Sequence, residues 1–405
     1  NSFCTLLAMA NQPHLRGSAP NPVPSDTVNS TSALAFGVHA SSTMRLVAAV
    51  HDEKPVLAVV NAREWRPTEA AFERALNNIR DRDYVDRVRR FRKGHASPHE
   101  CRHHEMDDPR CFVVGQALLA TAFGAKAAAL TSLPSRSVLG GVVARRTAEG
   151  RPHVGHLGTW FNSNISHAGG VVALATVDLP GYVVGCDLMP VELTPPRAIS
   201  VLAVDSLFDL LHKYFTAAEW TWIRAPIDSD AVVPPRANDC TSIAAFFQLK
   251  RFLTLWTLKE ALIKAMGIGL GFDLRRSSFS LSRTDVWAAD FYTTATAVSL
   301  QLDGALAPEC TFTLWESSEW NTVVATSLVP VSLADESSFA RTFDPVIARY
   351  GAGPYPAVDM RGTVRSHLSD PMVLDPEEVI AAVDRAVNDV SAPSTSETSN
   401  PAHHS

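Results

Sequence analysis

The chain lacks the features that mark disulfide-bonded, membrane-spanning and strongly charged proteins. Its six cysteines are spread over 405 residues without a CxxC pair, which argues against a disulfide framework and a zinc ribbon. No stretch approaches the roughly 20 uninterrupted apolar residues of a membrane-spanning helix. The formal net charge of −6 gives no general attraction to nucleic acid or anionic membranes. We therefore expect a cytoplasmic, monomeric protein that binds neither nucleic acid nor membrane and whose polyanion sites are local.

Composition separates a folded centre from two polar ends. Hydrophobic residues make up 46% and charged residues 19%, as is usual for a globular protein, and the length exceeds one typical domain. We expect a flexible lead over 1–45, an N-terminal lobe over 46–180 and a C-terminal lobe over 181–330. A C-terminal extension over 331–405 should be largely disordered from about residue 391, because its end is rich in Ser, Thr, Pro and His.

Apolar periodicity predicts helices and strands mixed along the whole chain. Strands are predicted at 48–62, 138–144, 171–177, 182–188, 277–281, 297–302, 310–315 and 322–328. Helices are predicted at 68–91, 110–123, 201–215, 216–223, 246–266 and 375–387. Thr68 is a candidate N-cap of the first of these helices. The alternation indicates an α/β or α+β architecture.

The segment WTLKEALIK at 256–264 places a carboxylate and a lysine on one face of a helix. Glu260 and Lys264 are one turn apart and point the same way, while apolar residues form the opposite face. A Glu four residues before a Lys is also a common stabilising pair on ordinary helix surfaces. The segment therefore fits either a chemical site or a simple salt bridge.

Two further carboxylates could converge with Glu260 on a magnesium ion. Asp187 ends an apolar run, so its carboxylate would be buried and would need a cation. Glu219 follows Thr216 by three residues, which is also the spacing of a capping box at a helix start. Mg²⁺ takes oxygen ligands and keeps waters that a substrate phosphate can replace.

Basic and neutral donors accompany these acids. Lys259 and Lys264 flank Glu260, and a strand–turn at 145–152 clusters guanidinium groups that suit phosphate oxygens. A loop at 161–169, placed before a strand, adds Ser166 and His167. These donors imply a dianionic ligand. The glycines at 267–271 follow a helix instead of opening one, so they predict a helix C-cap and not a nucleotide loop.

Two other clusters have competing interpretations. The loop at 94–109 crowds His, Cys and Glu residues together, but the spacing fits no standard zinc site. The basic segment at 79–93 suits either a solvated helix face or a polyanion contact.

The motifs gain meaning from their order along the chain. An RTxxGKP-like turn at 146–152 is followed by an FNxSH-like segment at 161–167 and GxDxM at 185–189. FTxxEW at 215–220 and WxLKEAxxKxxGxGLGF at 256–272 complete the series. Together they resemble the 4′-phosphopantetheinyl transferases of the Sfp type, in the branch that includes the human α-aminoadipate-semialdehyde-dehydrogenase transferase. The resemblance covers 145–281, extends more weakly to 65–123 and 315–329, and is absent from both ends.

This resemblance implies a reaction and a fold. The reaction is the Mg²⁺-dependent transfer of phosphopantetheine from coenzyme A to a serine of an acyl- or peptidyl-carrier protein, with release of 3′,5′-ADP. The fold is two similar, pseudo-symmetric α/β lobes with coenzyme A in the cleft between them. The carrier could belong to a fatty-acid synthase, a polyketide or peptide synthetase, or an aminoadipate reductase of lysine biosynthesis.

The resemblance also implies roles for residues at matching positions. Asp187 and Glu260 resemble metal ligands, and Glu219 resembles the acid that joins the metal site or activates the carrier serine. Lys264 resembles the lysine that stabilises the pyrophosphate and its leaving group, with Lys259 in support. Catalysis is thus expected from Glu219, Glu260 and Lys264.

Coenzyme A contacts are expected chiefly at the 3′-phosphate and adenine end. The residues that resemble them are Arg146, Arg151, Ser166 and His167, with Arg110 as a further phosphate candidate. Three positions depart from the family pattern: Met189 stands where the bacterial branch has a third acid, Arg151 replaces the usual lysine, and Gly115-Gln116 stands where GR is expected.

Two other hypotheses come from different classes of function. A non-catalytic descendant could bind coenzyme A or a carrier protein as an interaction module. A nucleic-acid-binding protein could use 79–93, although the negative net charge weighs against it.

Overall fold

A computed structural model describes residues 42–79, 81–92, 109–131, 145–146, 151–153, 160–193, 198–227, 240–281, 292–293, 298–334 and 371–391. Helices and strands are mixed throughout these residues, which confirms the mixed α and β class. Most of the His-rich segment at 94–109, the strand predicted at 138–144 and nearly all of the lead at 1–45 lie outside the described residues.

Eight α-helices occur in the described part of the chain. They are α1 (Ser42–His51), α2 (Glu69–Asn77), α3 (Arg82–Arg92), α4 (Pro109–Thr131), α5 (Val201–Leu211), α6 (Ala217–Ile223), α7 (Ile243–Met266) and α8 (Pro376–Ser391).

Thirteen strands accompany these helices within the described ranges. They are β1 (Val56–Asn61), β2 (Arg145–Arg146), β3 (Pro152–His153), β4 (Phe161–Ala168), β5 (Val171–Asp178), β6 (Tyr182–Pro190), β7 (Ser277–Leu281), β8 (Tyr292–Thr293), β9 (Val298–Leu302), β10 (Ala305–Leu306), β11 (Thr311–Ser317), β12 (Thr322–Pro330) and β13 (Met372–Leu374).

The first sheet has the strand order β13-β1-β5-β4. Strand β13 runs parallel to β1, and the other neighbours are antiparallel. Gly169 and Gly170 join β4 to β5 with φ angles of 55° and 78°, a left-handed conformation that glycine adopts without a steric penalty. Helices α1, α4 and α8 pack with this sheet. The helix predicted at 375–387 is confirmed as α8, whereas strand β13 and the addition of both elements to the first sheet were not predicted.

The second sheet has the order β6-β12-β11-β8 and is antiparallel throughout. Helix α7 packs on β6 and β12, and aromatic side chains of α5 and α6 pack against the helix. Phe208 of α5 and Trp220 of α6 contact Phe252 of α7 with ring centroids 5.2 and 6.1 Å away. A small sheet of order β10-β9-β7 flanks this core.

A third apolar cluster contains residues of both sheets. Leu57 of β1 and Val184 of β6 belong to it, together with Trp315 of β11. All three side chains are buried. The two sheets therefore share apolar packing in addition to the core that each has on its helical face.

Three sequence predictions differ from the structure in instructive ways. The strand predicted over 48–62 begins as the last turn of α1, since Leu46, Ala49 and Val50 recur at helical spacing. The helix predicted over 68–91 divides into α2 and α3 after Asn78, although Thr68 is confirmed as an N-cap that accepts from the Ala71 amide at 3.2 Å. The loop predicted at 161–169 is strand β4 for most of its length.

Helix α4 is the only described helix long and apolar enough to cross a membrane by length and composition. Of its apolar window, 83% is buried inside the protein, and the helix packs against α1, α8 and β5. This is the pattern of a core helix.

Candidate active site

The site begins where strand β6 touches helix α7. A Cβ atom placed on Gly185 would lie 1.9 Å from the Ala261 carbonyl oxygen and 2.7 Å from the Ala265 nitrogen. Ser327 of β12 donates its hydroxyl to the same Ala261 oxygen at 2.8 Å. This close approach brings Asp187, two residues along β6, beside the final turns of α7.

A buried polar cluster forms at this contact. The Lys264 Nζ lies 2.5 Å from Asp187 Oδ1 and 2.9 Å from Ser166 Oγ. Ser166 in turn donates to Asp187 Oδ1 at 2.8 Å. Three residues that the sequence predicts from three separate motifs therefore meet, one each from β4, β6 and α7.

Glu260 lies one turn before Lys264 and is also buried, with 2% of its surface exposed. Burial alone would lower the pKa of Lys264, but the charges of Asp187 and Glu260 outweigh it and raise that pKa above its ordinary value. The ammonium is therefore charged at neutral pH. The thiol of Cys186 beside it is inert by comparison, because burial raises its pKa to about 12.

Glu219 and Lys259 form a second buried pair, with Nζ and Oε1 3.0 Å apart and both side chains fully enclosed. Glu219 also accepts from the Thr216 and Phe279 amides, at 2.8 and 3.0 Å. The capping box that the sequence offered as an alternative for Glu219 is thus confirmed. The predicted metal role of Glu219 stays a prediction.

The ammonium of Lys259 donates to two backbone carbonyl groups. Its acceptors are the carbonyl oxygens of Leu274 and Ser277, at 2.8 and 2.5 Å. Burial lowers the pKa of Lys259, although the Glu219 charge acts in the opposite direction. The structure presents this ammonium to the protein interior, and its predicted contact with coenzyme A stays a prediction.

Strand β4 is joined to β6 by side chains, because the two strands are the facing edges of the two sheets. Asn162 donates to the Tyr182 carbonyl at 3.1 Å and accepts from the Val184 amide at 2.9 Å. Asn164 accepts from the Cys186 amide at 3.1 Å. Ser166 continues this alternate-residue series to the Asp187 carboxylate. We call Asn162, Asn164 and Ser166 the β4 polar row.

Arg151 is buried, and its guanidinium donates to three backbone carbonyls. Nη2 lies 2.5 Å from Lys264 O and 2.7 Å from Ala265 O, and Nη1 lies 3.2 Å from Val184 O. Burial lowers the pKa of Arg151 to about 10. Arg146, the neighbouring candidate, pairs with Pro152 in the β2–β3 ribbon, and its predicted contact with coenzyme A stays a prediction.

The two remaining candidates lie near the start of α4. The His167 ring meets the edge of Phe112 with centroids 4.7 Å apart. Arg110 donates to the carbonyls of Arg63 and Trp65 at 3.2 and 3.3 Å. The coenzyme A roles of both residues stay predictions.

Sequence reasoning missed Gly185 as part of the site, and it missed that the amides of Asn162 and Asn164 join β4 to β6. Gly185 belongs to the quoted GxDxM motif, but only the packed structure shows a helix backbone against it. The amides at 162 and 164 alternate with residues of the opposite face, a period of two that is a usable strand signal.

Comparisons with known proteins agree with these motifs. A family model described as the 4′-phosphopantetheinyl transferase superfamily matches residues 183–311. A phosphopantetheinyl transferase of Thraustochytrium sp. is 32% identical over 252 residues, which cover 62% of this chain and 70% of that protein. The chain belongs to the 4′-phosphopantetheinyl transferase superfamily, and the resemblance in its motifs is confirmed.

Two more relatives match over shorter stretches. The human L-aminoadipate-semialdehyde dehydrogenase-phosphopantetheinyl transferase is 33% identical over 172 residues, 42% of this chain and 47% of that protein. The 4′-phosphopantetheinyl transferase pptA of Paxillus involutus is 35% identical over 122 residues, 29% of this chain and 40% of that protein. The chain thus spans less than half the length of these two relatives.

Proposed function

We propose that this chain transfers the 4′-phosphopantetheine group of coenzyme A to a serine hydroxyl of an acyl- or peptidyl-carrier domain and releases 3′,5′-ADP. The observation that carries the proposal is the charged Lys264 held between Asp187 and Ser166, with Glu260 one turn away. Buried carboxylates keep this lysine protonated where the edges of the two sheets meet. Its positive charge can neutralise the negative charge around the reacting phosphorus of the substrate.

We further infer two lobes, one around each large sheet, with coenzyme A between them. The β4 polar row supports this arrangement, because it joins the facing edges of the sheets next to Lys264. Pseudo-symmetry of the lobes, a monomeric state and a cytoplasmic location are parts of the same proposal. The four described cysteines are free, as suits a reducing compartment.

Magnesium fits the donor set at this joint. No group of three or more His, Cys, Asp or Glu side chains poised for a metal occurs within the described residues. Mg²⁺, however, commonly takes only one or two carboxylates and completes its shell with waters and substrate phosphates. The buried carboxylates of Asp187 and Glu260 would hold it. The metal role predicted for Glu219 would require its carboxylate to leave Lys259 and the amides of Thr216 and Phe279. The ion would neutralise charge on the pyrophosphate.

The chain's own residues provide the remaining chemistry. The serine oxygen bonds to the phosphorus that carries the pantetheine, and the bond from that phosphorus to the 3′,5′-ADP oxygen breaks. Lys264 offers an ammonium to the pyrophosphate oxygens as charge moves to the leaving group. We assign acceptance of the serine proton to Glu260, because Glu219 is enclosed by Thr216, Lys259 and Phe279.

The test is mass spectrometry of apo carrier proteins incubated with this protein, coenzyme A and Mg²⁺. We expect a gain of one phosphopantetheine on at least one carrier from a panel covering fatty-acid, polyketide, peptide and aminoadipate systems. Asp187→Ala, Glu260→Ala and Lys264→Ala should each lower the rate about 100-fold or more while remaining folded. Lys54→Ala is the control, since Lys54 forms an exposed ion pair with Asp52 at 3.0 Å.

Two results would contradict the proposal. No mass gain on any carrier of the panel would refute transfer, and tight coenzyme A binding by calorimetry without transfer would instead identify a binding module. Wild-type turnover by any of the three site variants would refute the role of that residue.

A further inference from the structure

Arg151 connects the two elements that carry the central ion pair. Its Nη2 binds the carbonyl oxygens of Lys264 and Ala265 in the last turn of α7. Its Nη1 binds the carbonyl oxygen of Val184 on β6, three residues before Asp187. One guanidinium therefore contacts both backbones, close to both members of the pair.

The end of α7 needs such a donor. The last four carbonyls of a helix have no partner within the helix, and a cation there also interacts favourably with the helix dipole. Gly267, with a φ of 70°, satisfies one of them by donating its amide to Ile263 O. Arg151 satisfies two of the next three, including that of Lys264 itself. The planar fork of arginine can serve several acceptors at once, whereas lysine is a single point charge.

We propose that Arg151 is a positioning residue, which locks the last turn of α7 and thereby Lys264 against β6, and is not a ligand of the coenzyme A 3′-phosphate. The inference rests on the proposed transfer reaction for its kinetic consequence. It replaces the phosphate contact that the family resemblance implies for this position. The basis is the burial of the side chain, 4% exposed, and its three carbonyl contacts.

The chain contains a matched control for this arginine. Arg251, which lies on α7 itself, is 3% exposed and donates to the carbonyls of Ala225 at 2.5 Å, Pro226 at 3.2 Å and Ile223 at 3.5 Å. These acceptors follow or end α6. Arg251 is 13 residues from Lys264, about 20 Å along the helix. The two arginines have the same chemistry and burial, but only Arg151 touches the turn of Lys264.

The experiment compares Arg151→Lys and Arg151→Met with Arg251→Lys. We expect kcat to fall about 10- to 100-fold in Arg151→Lys and further in Arg151→Met, since a displacement of about 1 Å at a reacting group can cost 100-fold. KM for coenzyme A and the preference for coenzyme A over 3′-dephospho-coenzyme A should stay within twofold of wild type. Arg251→Lys should lower Tm comparably and leave kcat within twofold.

Hydrogen exchange supplies a readout that does not depend on activity. Amides at the end of α7, including that of Gly267, should exchange faster in Arg151→Lys than in the wild type. In Arg251→Lys their exchange rates should equal those of the wild type. If Arg151→Met does not fold, Arg151→Lys alone tests the proposal. This variant keeps a positive charge at the buried position and is therefore expected to fold. If the wild-type protein transfers nothing, the proposed function fails, and the exchange pattern still decides whether Arg151 holds the turn.

Two patterns would overturn the inference. An increased KM with unchanged kcat, together with a lost preference for coenzyme A over its dephospho form, would make Arg151 a 3′-phosphate ligand. Unchanged exchange at the end of α7 in Arg151→Lys would show that Arg151 does not hold that turn.

Discussion

Gly185 sets the distance between the strand that carries Asp187 and the helix that carries Lys264. The Ala261 oxygen occupies the place of a side chain at this position, so no residue larger than glycine fits without backbone movement. The ion pair at 2.5 Å depends on that approach. A glycine without a side chain thus governs the geometry of the Lys264–Asp187 ion pair.

We predict that Gly185→Ala destabilises the protein by about 1–3 kcal/mol or more, the usual cost of overpacking, and also lowers the transfer rate. Thermal unfolding and the carrier assay measure the two effects. Gly271→Ala is the control, because a Cβ there meets nothing within 4 Å and the residue is exposed. Equal Tm values for wild type and Gly185→Ala would contradict the close contact.

Strand β4 shows how an element can be structural and still look like a binding loop. Its alternate polar residues face the edge of β6. The side chains of Asn162 and Asn164 form hydrogen bonds with the β6 backbone, which a neighbouring strand would otherwise form. The sequence predicts the neighbouring strands well, because β5 and β6 are continuous apolar runs buried on both faces. Strand β4 has alternating polar residues instead of a continuous apolar run, and their partners on β6 cannot be identified from local sequence.

We predict that Asn164→Leu costs about 1–3 kcal/mol, because it leaves the Cys186 amide without its acceptor inside the protein. Ser163→Ala on the adjacent position is the control. The Ser163 hydroxyl is buried and has no hydrogen-bond partner within the described ranges, so its removal should be neutral or stabilising. Urea unfolding of both variants gives the comparison. A cost for Ser163→Ala equal to that for Asn164→Leu would refute the assignment of faces.

Helix α7 was predictable as an element but only partly as a site. Its pattern places Glu260 and Lys264 on one face, and the structure pairs Lys264 with Asp187. The separation of Lys259 from this group depends on tertiary packing, since only the fold shows that Lys259 points to Glu219 and the Ser277 backbone. The carbonyl contacts of Arg151 depend equally on packing between distant segments.

At the scale of the whole molecule, the first sheet is completed by the far end of the described chain. Strand β13 pairs with β1, and α8 packs against α4 and α1. Glu378 accepts from both the amide and the hydroxyl of Ser42, at 3.0 and 2.5 Å. Periodicity predicts the helix at 375–387 but contains no information about which sheet it joins.

We predict that Leu374→Ala destabilises the protein by about 2–5 kcal/mol, as for other buried leucines. Leu374 is 3% exposed on β13, whereas its neighbour Val373 is 48% exposed. Val373→Ala on the same strand should therefore change the free energy of unfolding by no more than about 0.5 kcal/mol. Denaturant unfolding measures both changes, and similar values for the two variants would refute the burial of β13 against β1.

The Ser42–Glu378 contact also determines when the protein can finish folding. Its two residues are 336 positions apart in sequence, and the ribosome makes the N-terminal one first. During synthesis, β1 therefore waits with an open edge until nearly the whole described chain has emerged, and such edges invite aggregation. Contacts of this sequence separation also slow folding, because the entropy of closing a long loop is lost before the contact forms. Expression temperature and chaperone supply should accordingly influence the yield of this protein more than its final stability suggests.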